Sequence, residues 1–323
     1  MAYKTPKIDQ LLEAGVHFGH QVRRWHPKME PYIFSVKKNV HIIDLEQTEE
    51  LLKKACDFLF ETAKNGGQII FVGTKKQARE IIQIEAKRCG ALYVTERWIG
   101  GTLTNFRVIK KNIDKLLSLK SKRISGELDK YTKKERLLID REIEKLEKYI
   151  GGIVSLKGNP SAVFVVDPRR ERTAVNESKS CGVPVVSLID TNSDPSKVDY
   201  VIPGNDDAIK SVALILKTIS DAILDGYKEY EKVLVAGNVK EEEAKKEQPE
   251  ETKADAEAND SVPAADVPVI VTASEAPEIA EELIKEPVLD ETKPDKIKEI
   301  KEEVGEPRDK SKTKAKKAKK EEK

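Results

Sequence analysis

The amino-acid sequence predicts an α/β protein: a doubly wound parallel sheet of five strands, interrupted by an inserted antiparallel α-helical hairpin. Three observations carry this prediction. First, short apolar runs at QIIFVGT (from Gln68), ALYVT (from Ala91), AVFVVD (162–167), VPVVSLID (183–190) and a brief one at 200–202 read as strands covered on both faces. Second, most of these runs are separated by segments of helical period, the alternation that builds parallel sheets. Third, the rhythm breaks once. Phe106, Ile109, Ile113 and Leu116, then Ile139, Ile143, Leu146 and Ile150 after a turn at Ser125 and Gly126, step by three and four, the spacing of a coiled-coil seam.

In chain order, residues 5–14 place Ile8, Leu11 and Leu12 on one face of a short helix, which Gly15 ends. Residues 15–44 hold all four histidines, a tryptophan and two arginines before a hairpin expected to turn at Lys37, Lys38 and Asn39. This is a basic, ring-bearing extension suited to nucleic acid, with Arg23, Arg24, Lys28, Lys37 and Lys38 on phosphates. His17, His20 and His26 are also good zinc ligands, but no cysteine lies nearby and their spacing is not a recognised zinc pattern. A helix follows over 46–64, with Leu51, Leu52, Ala55, Phe58 and Leu59 apolar and Asn65, Gly66 and Gly67 closing it. Another is expected over 75–88.

The strand at Ala91 empties into RWIGGTLTNF (97–106). Arg97 and Trp98 supply a cation and a flat ring, Gly100 and Gly101 allow a sharp turn, and Thr102, Thr104 and Asn105 are short hydrogen-bonding side chains. These residue types suit a surface that touches sugar, phosphate and base edges. A glycine turn with Trp98 and Phe106 in the core is the competing reading. The hairpin then fills 106–151, with Thr132 and Glu135 forming a capping-box pattern and Gly151 and Gly152 stopping the second helix. Helices are expected near 170–181 and from 206 to about 230.

Composition divides the chain. Its 323 residues carry 58 Lys and Arg against 57 Asp and Glu, a formal net charge of +1. From Asn238 onward there are 18 basic and 25 acidic residues and no aromatic, which leaves 40 basic against 32 acidic before it. The core is therefore +8 and the tail −7, and the core is the part to match with a polyanion. Three domains are expected: 1–45, the extension and hairpin; 46–236, the α/β body interrupted by 106–151; and 237–323, a charged tail too poor in apolar surface to order itself. Cys56, Cys89 and Cys181 are isolated in sequence, which argues against a metal site or disulfide framework and for a reducing compartment. No apolar run is long enough to span a bilayer, so a soluble, cytoplasmic protein without membrane contact is expected.

A parallel sheet raises the prospect of a nucleotide-binding enzyme, so the loops after its strands matter. Gly73, Thr74, Lys75 and Lys76 make a fair anion site but lack the spaced glycines of a phosphate loop. Asp167, Pro168, Arg169, Arg170, Glu171 and Arg172 suit a phosphate backbone or an acidic protein surface better than a small substrate. Asp190, Asp194, Asp206 and Asp207 could surround a divalent cation, although helix capping by Asn205 or Asp206 and turn roles for the others are simpler. No nucleophile elbow and no paired acid and base are evident, so no enzymatic activity and no cofactor are expected. Two rival readings remain, a nucleotide-binding α/β protein and a scaffold that joins proteins without RNA.

Five blocks carry a family resemblance. LLEAGVHFGH (11–20), the RRWHPKMEPYIF stretch after it, RWIGGTLTNF, VFVVDPRRE and IPGNDDAIKSV (202–212) together resemble the bacterial form of the small-subunit ribosomal protein two family, from the N-terminus to about Tyr230. The tail is longer than is usual there. The resemblance implies a flavodoxin-like three-layer body with a protruding helical hairpin, on the solvent side of the small subunit between head and body. It implies binding to small-subunit ribosomal RNA and to other small-subunit proteins, recruitment of the large mRNA-binding one, a structural role in translation initiation, and no homo-oligomer. On matching residues it points to Arg23, Arg24, Trp25, His26, Lys28, Lys75, Lys76, Arg97, Trp98, Thr102, Thr104, Asn105 and Arg107, then Arg169 and Arg170, as RNA or neighbour contacts.

Overall fold

A computed structural model describes residues 3–246 of the chain, with side chains through residue 233. The N-terminal part is a short helix α1 (Ile8–Glu13) and a three-stranded antiparallel sheet of β1 (Phe18–Gln21), β2 (Ile33–Lys37) and β3 (Val40–Ile43), in the order β1-β3-β2. The hairpin between β2 and β3 turns at Lys38 and Asn39, with φ of 49° and 64°. Two successive left-handed residues are what a tight hairpin needs to match strand twist, and Asn tolerates that region better than most.

The body follows as α2 (Leu45–Lys64), β4 (Ile69–Val72), α3 (Lys76–Cys89), β5 (Leu92–Val94), α4 (Phe106–Ile124), α5 (Lys133–Ile150), β6 (Ala162–Val166), α6 (Arg172–Ser180), β7 (Val185–Ile189), β8 (Tyr200–Pro203) and α7 (Ile209–Lys246). The five body strands are all parallel, in the order β5-β4-β6-β7-β8. Ile69 and Phe71 of β4 join Phe164, Val166, Val186 and Leu188 in a core closed by α2, α3 and α7, while Ile70 and Val72 point the other way, toward α4, α5 and α6. Both faces being covered explains why β4 and β6 are apolar at every position. Each such fully buried Val or Ile contributes roughly 1.5–3 kcal/mol. Helices α2 and α7 approach so closely that a Cβ on Gly226 would come within 2.6 Å of the Phe60 carbonyl oxygen, which explains a glycine inside a helix.

The inserted hairpin forms as its spacing predicts. Ile109, Ile113 and Leu116 of α4 and Ile143 and Ile150 of α5 are buried, and no residue of either helix between Leu116 and Ile143 is. Its base is thus built into the core, and its distal half stands clear of the sheet. Gly126 takes φ 74° at the turn, and Thr132 and Glu135 complete a reciprocal cap at the start of α5. Lys115–Glu142 and Lys120–Glu147 (2.6 Å) pair across the two helices.

One boundary differs from expectation. The last helix runs on to Lys246 rather than ending near Tyr230, and so crosses the anticipated start of a disordered tail at 237. The Glu, Lys, Ala and Val of that stretch are mostly fair to good helix formers, so the composition that argues against a core does not argue against extending a helix already nucleated. The rest of the expected tail lies outside the described residues. Among those described, no helix is long and apolar enough to cross a membrane.

Candidate nucleic-acid interface

The carboxyl ends of β6 and β7 carry the loops in which sequence places most of the unassigned charge. At the end of β6, Asp167 takes φ 62°, and its side chain accepts from the Arg170 amide at 3.1 Å. This left-handed turn buries Pro168 and leaves Arg169 and Arg170 exposed. Facing them, residues 22–26 are fastened to the loop after β7: the His20 amide donates to Thr191 Oγ1 at 2.9 Å and the His26 amide to the Thr191 carbonyl at 2.7 Å. Gly19 permits this approach, since a Cβ there would meet the Thr191 side chain at 2.7 Å. The His26 ring caps the following turn by accepting from the Lys28 amide at 3.3 Å.

Between these loops lies a cleft of about 670 Å³, to which Arg23, Arg24, Trp25, His26 and Arg169 contribute, together with Arg172 and Lys197. Trp25 is half-buried and leans on the His41 ring at 5.3 Å and 33°. Among the described residues, none of Arg23, Arg24, Arg169, Arg172 and Lys197 is in an ion pair; Asp194, the carboxylate of the lining, faces Lys28 at 3.4 Å instead. Like charges in a concave wall reinforce one another's field, so the cleft is a standing attraction for an anion. Lys197 is not among the residues that sequence marks, and Arg172 is marked there only as a member of its loop. Arg172 was legible as the third arginine of its loop, whereas Lys197 is brought to the cleft only by the turn that Asp194 caps at the Ser196 amide, 3.0 Å away.

The loop over 97–105 is arranged differently. Glu177 of α6, buried, turns its carboxylate into this loop. Its Oε1 accepts from Trp98 Nε1 at 3.3 Å and the Gly101 amide at 2.8 Å, and its Oε2 from the Leu103 amide at 3.1 Å, the Thr104 amide at 3.4 Å and the Thr104 hydroxyl at 3.3 Å. The loop is an anion cradle filled by the protein's own carboxylate. Trp98 and Thr102 are buried, the Thr102 hydroxyl donating to the Ile99 carbonyl at 2.6 Å. The core reading of Trp98 therefore prevails over the contact reading, and Trp98 and Thr102 are placed inside the fold rather than on a surface. Arg97, Thr104, Asn105 and Arg107 are exposed.

The loop after β4 shows the same economy. The Thr74 amide and hydroxyl both donate to Glu171, with the amide at 3.1 Å, and Arg170 Nε donates to the Thr74 hydroxyl at 2.8 Å. Burial pushes the Glu171 carboxyl above its ordinary pKa. Lys75, expected to face a partner, instead turns into the molecule and meets Asp206 at 2.7 Å, Asp207 at 2.6 Å and Asp167 at 3.9 Å. Lys76 is exposed at the start of α3. Lys75 is held above its usual pKa because, although burial lowers it, the Asp206 and Asp207 carboxylates outweigh that effect.

Asp206 is fully buried and pushed up to about 7 by burial and by the neighbouring Asp190 and Asp167 charges. His20 lies 2.9 Å from Asp190 and 3.4 Å from Asp207 and is raised by its hydrogen bond to Asp190. One ligand atom from each of His20, Asp190, Asp206 and Asp207 lies within 4.8 Å of the others, a set of hard oxygens and an imidazole able to hold a divalent cation. The Lys75 ammonium already serves it as a counter-charge. Capping falls to Asn205, whose side chain accepts from the Asp207 and Ala208 amides at 2.8 and 3.1 Å, and to Asp194; Asp206 is no cap.

Residues 11–226 match the family model of ribosomal protein S2. The small ribosomal subunit protein uS2 of Maridesulfovibrio salexigens is 48% identical over 261 residues, covering 78% of this chain and 100% of that protein. Its counterpart in Sorangium cellulosum is 51% identical over 219 residues, covering 68% of this chain and 79% of that one.

Proposed function

This chain belongs to the ribosomal protein S2 family, and from that premise we propose that it is a non-catalytic structural constituent of the small ribosomal subunit, acting in the cytoplasm. In this reading it binds the subunit's RNA and neighbouring ribosomal proteins and helps to recruit the large mRNA-binding protein for initiation. The observation that carries the RNA contact is the cleft between residues 22–26 and the loops after β6 and β7, where five cationic side chains have no internal carboxylate partner. Keeping like charges together without counter-charges costs stability, and a polyanion removes that cost. Lys and Arg there displace condensed counterions from phosphates, while the fixed loops set the register. Exposed Lys76, Arg97, Arg107 and Arg170 extend the cationic surface beyond the cleft.

Neighbouring proteins find apolar ground in two places. Strand β2 is a sheet edge with Phe34 76% exposed and Val36, two residues on, exposed as well, and the distal half of the helical hairpin shows Ile124, also 76% exposed, with Leu137 and Leu138. Sedimentation of cell lysate through a sucrose gradient tests the reading. Co-migration with the small subunit, lost after nuclease treatment, is expected; a protein that stays at the top of the gradient under every condition would overturn it.

A further inference from the structure

We propose that the cleft takes a single unpaired nucleotide extruded from an RNA strand, its base stacked on Trp25 and its flanking phosphates on Arg24, Arg169, Arg172 and Lys197. The inference rests on the RNA-binding reading above and narrows it to one class of RNA element. Four features of the cleft favour an extruded nucleotide over a helical backbone.

The site is a half-open cleft of about 670 Å³, within the range of roughly 300–1,000 Å³ typical of small-ligand pockets. An A-form duplex is convex at its backbone and would touch only the rim, whereas unstacked bases are the parts of RNA that enter pockets. The second feature is the ring. Trp25 is half-buried with the His41 ring behind it, so its orientation is set before any ligand arrives and little side-chain entropy remains to be lost. His41 is buried and neither of its ring nitrogens has a hydrogen-bond partner, which makes it a packing support rather than a polar contact.

Third, the lining mixes characters as a nucleotide does. Buried Pro168 and Val175 supply apolar wall, and the cations supply charge. A site for backbone alone would need only the latter. Fourth, α6 begins at this cleft with Arg172, so the positive end of its helix dipole adds to the field of the side chains. The same cleft is thus prepared for both halves of a nucleotide.

The chain has two tryptophans, Trp25 and the buried Trp98, which makes fluorescence a direct probe. The full chain is titrated with single-stranded hexaadenylate, with a blunt RNA duplex and with adenosine monophosphate. Hexaadenylate is expected to quench emission in the parent protein but not in Trp25→Phe, which retains only Trp98. Trp25→Leu should weaken hexaadenylate binding about tenfold, the scale of one lost stacking contact, and change duplex binding less than twofold. Arg172→Ala, which leaves the ring in place, should weaken hexaadenylate binding several-fold and so keeps the test alive if Trp25→Leu folds poorly. Equal losses for duplex and single strand on Trp25→Leu would overturn the extruded-nucleotide proposal and leave RNA binding standing. Adenosine monophosphate binding as tightly as hexaadenylate would overturn it in favour of a free-nucleotide site. Absence of binding to either RNA would bring down the underlying RNA reading as well.

Discussion

The loop over 97–105 and the cleft around Trp25 are built from similar residue types, arginines, a tryptophan, short polar side chains and tight turns, yet they stand in opposite electrostatic states. In the loop, a carboxylate brought from α6 takes up the indole N–H, three amides and a hydroxyl. In the cleft, five cations await a counter-charge from outside. The same chemical groups serve as structure where an internal partner reaches them and stay open to an outside partner where none does. What decides between the two is the supply of partners in the folded chain, not the residue types themselves.

The comparison can be broken most forcefully at Glu177. Glu177→Ala strands the buried donors of Trp98 and Leu103 and removes the partner of the Gly101 and Thr104 amides, and is expected to cost about 3–5 kcal/mol in urea denaturation, since unmet buried donors carry their full desolvation penalty. A variant as stable as the parent would mean that the carboxylate is not what holds the loop. Replacing exposed Arg97 and Arg107 together by alanine should leave the denaturation midpoint nearly unchanged and lower subunit occupancy, measured by mass spectrometry of purified subunits; full occupancy would confine the RNA contact to the cleft. Thr104→Val removes a single hydroxyl bond to Glu177 and should cost about 1 kcal/mol by the same denaturation assay. The smallest effect belongs to the hairpin. Lys120→Ala breaks an exposed pair with Glu147 and should cost under about 1 kcal/mol, with loss diminishing as salt is added.

Sequence made the strands and hairpin legible because their signals are local. Ile69–Val72 and Ala162–Val166 are apolar throughout since both faces are covered, and Thr132 with Glu135 announces its own cap. Charge and ring mark Arg23, Arg24 and Trp25 in the sequence, the family resemblance adds His26, and Arg169 stands in an arginine-rich loop; the fold brings all five to one cleft. Glu177 has no such mark. On a short amphipathic helix a glutamate reads as solvated, and only the packing of α6 under a loop more than seventy residues away in sequence turns it inward. Lys75 misleads for the converse reason. Next to a glycine turn it has the look of an anion site, but Asp206 and Asp207, distant in sequence, claim it. Partners separated by more than seventy residues leave no trace in local pattern, and that is why the filled cradle and the open cleft could not be told apart before folding.

The central claim, that the unpaired cations of the cleft carry the RNA contact, is tested most directly by the salt dependence of binding. The triple variant Arg24→Ala, Arg169→Ala and Arg172→Ala is compared with the parent for affinity to small-subunit ribosomal RNA across a range of salt concentrations. Loss of three phosphate contacts should flatten the slope of log K against log salt by about 2, with the fold intact by circular dichroism. An unchanged slope in a folded triple variant would contradict the account and place the RNA contact elsewhere on the protein.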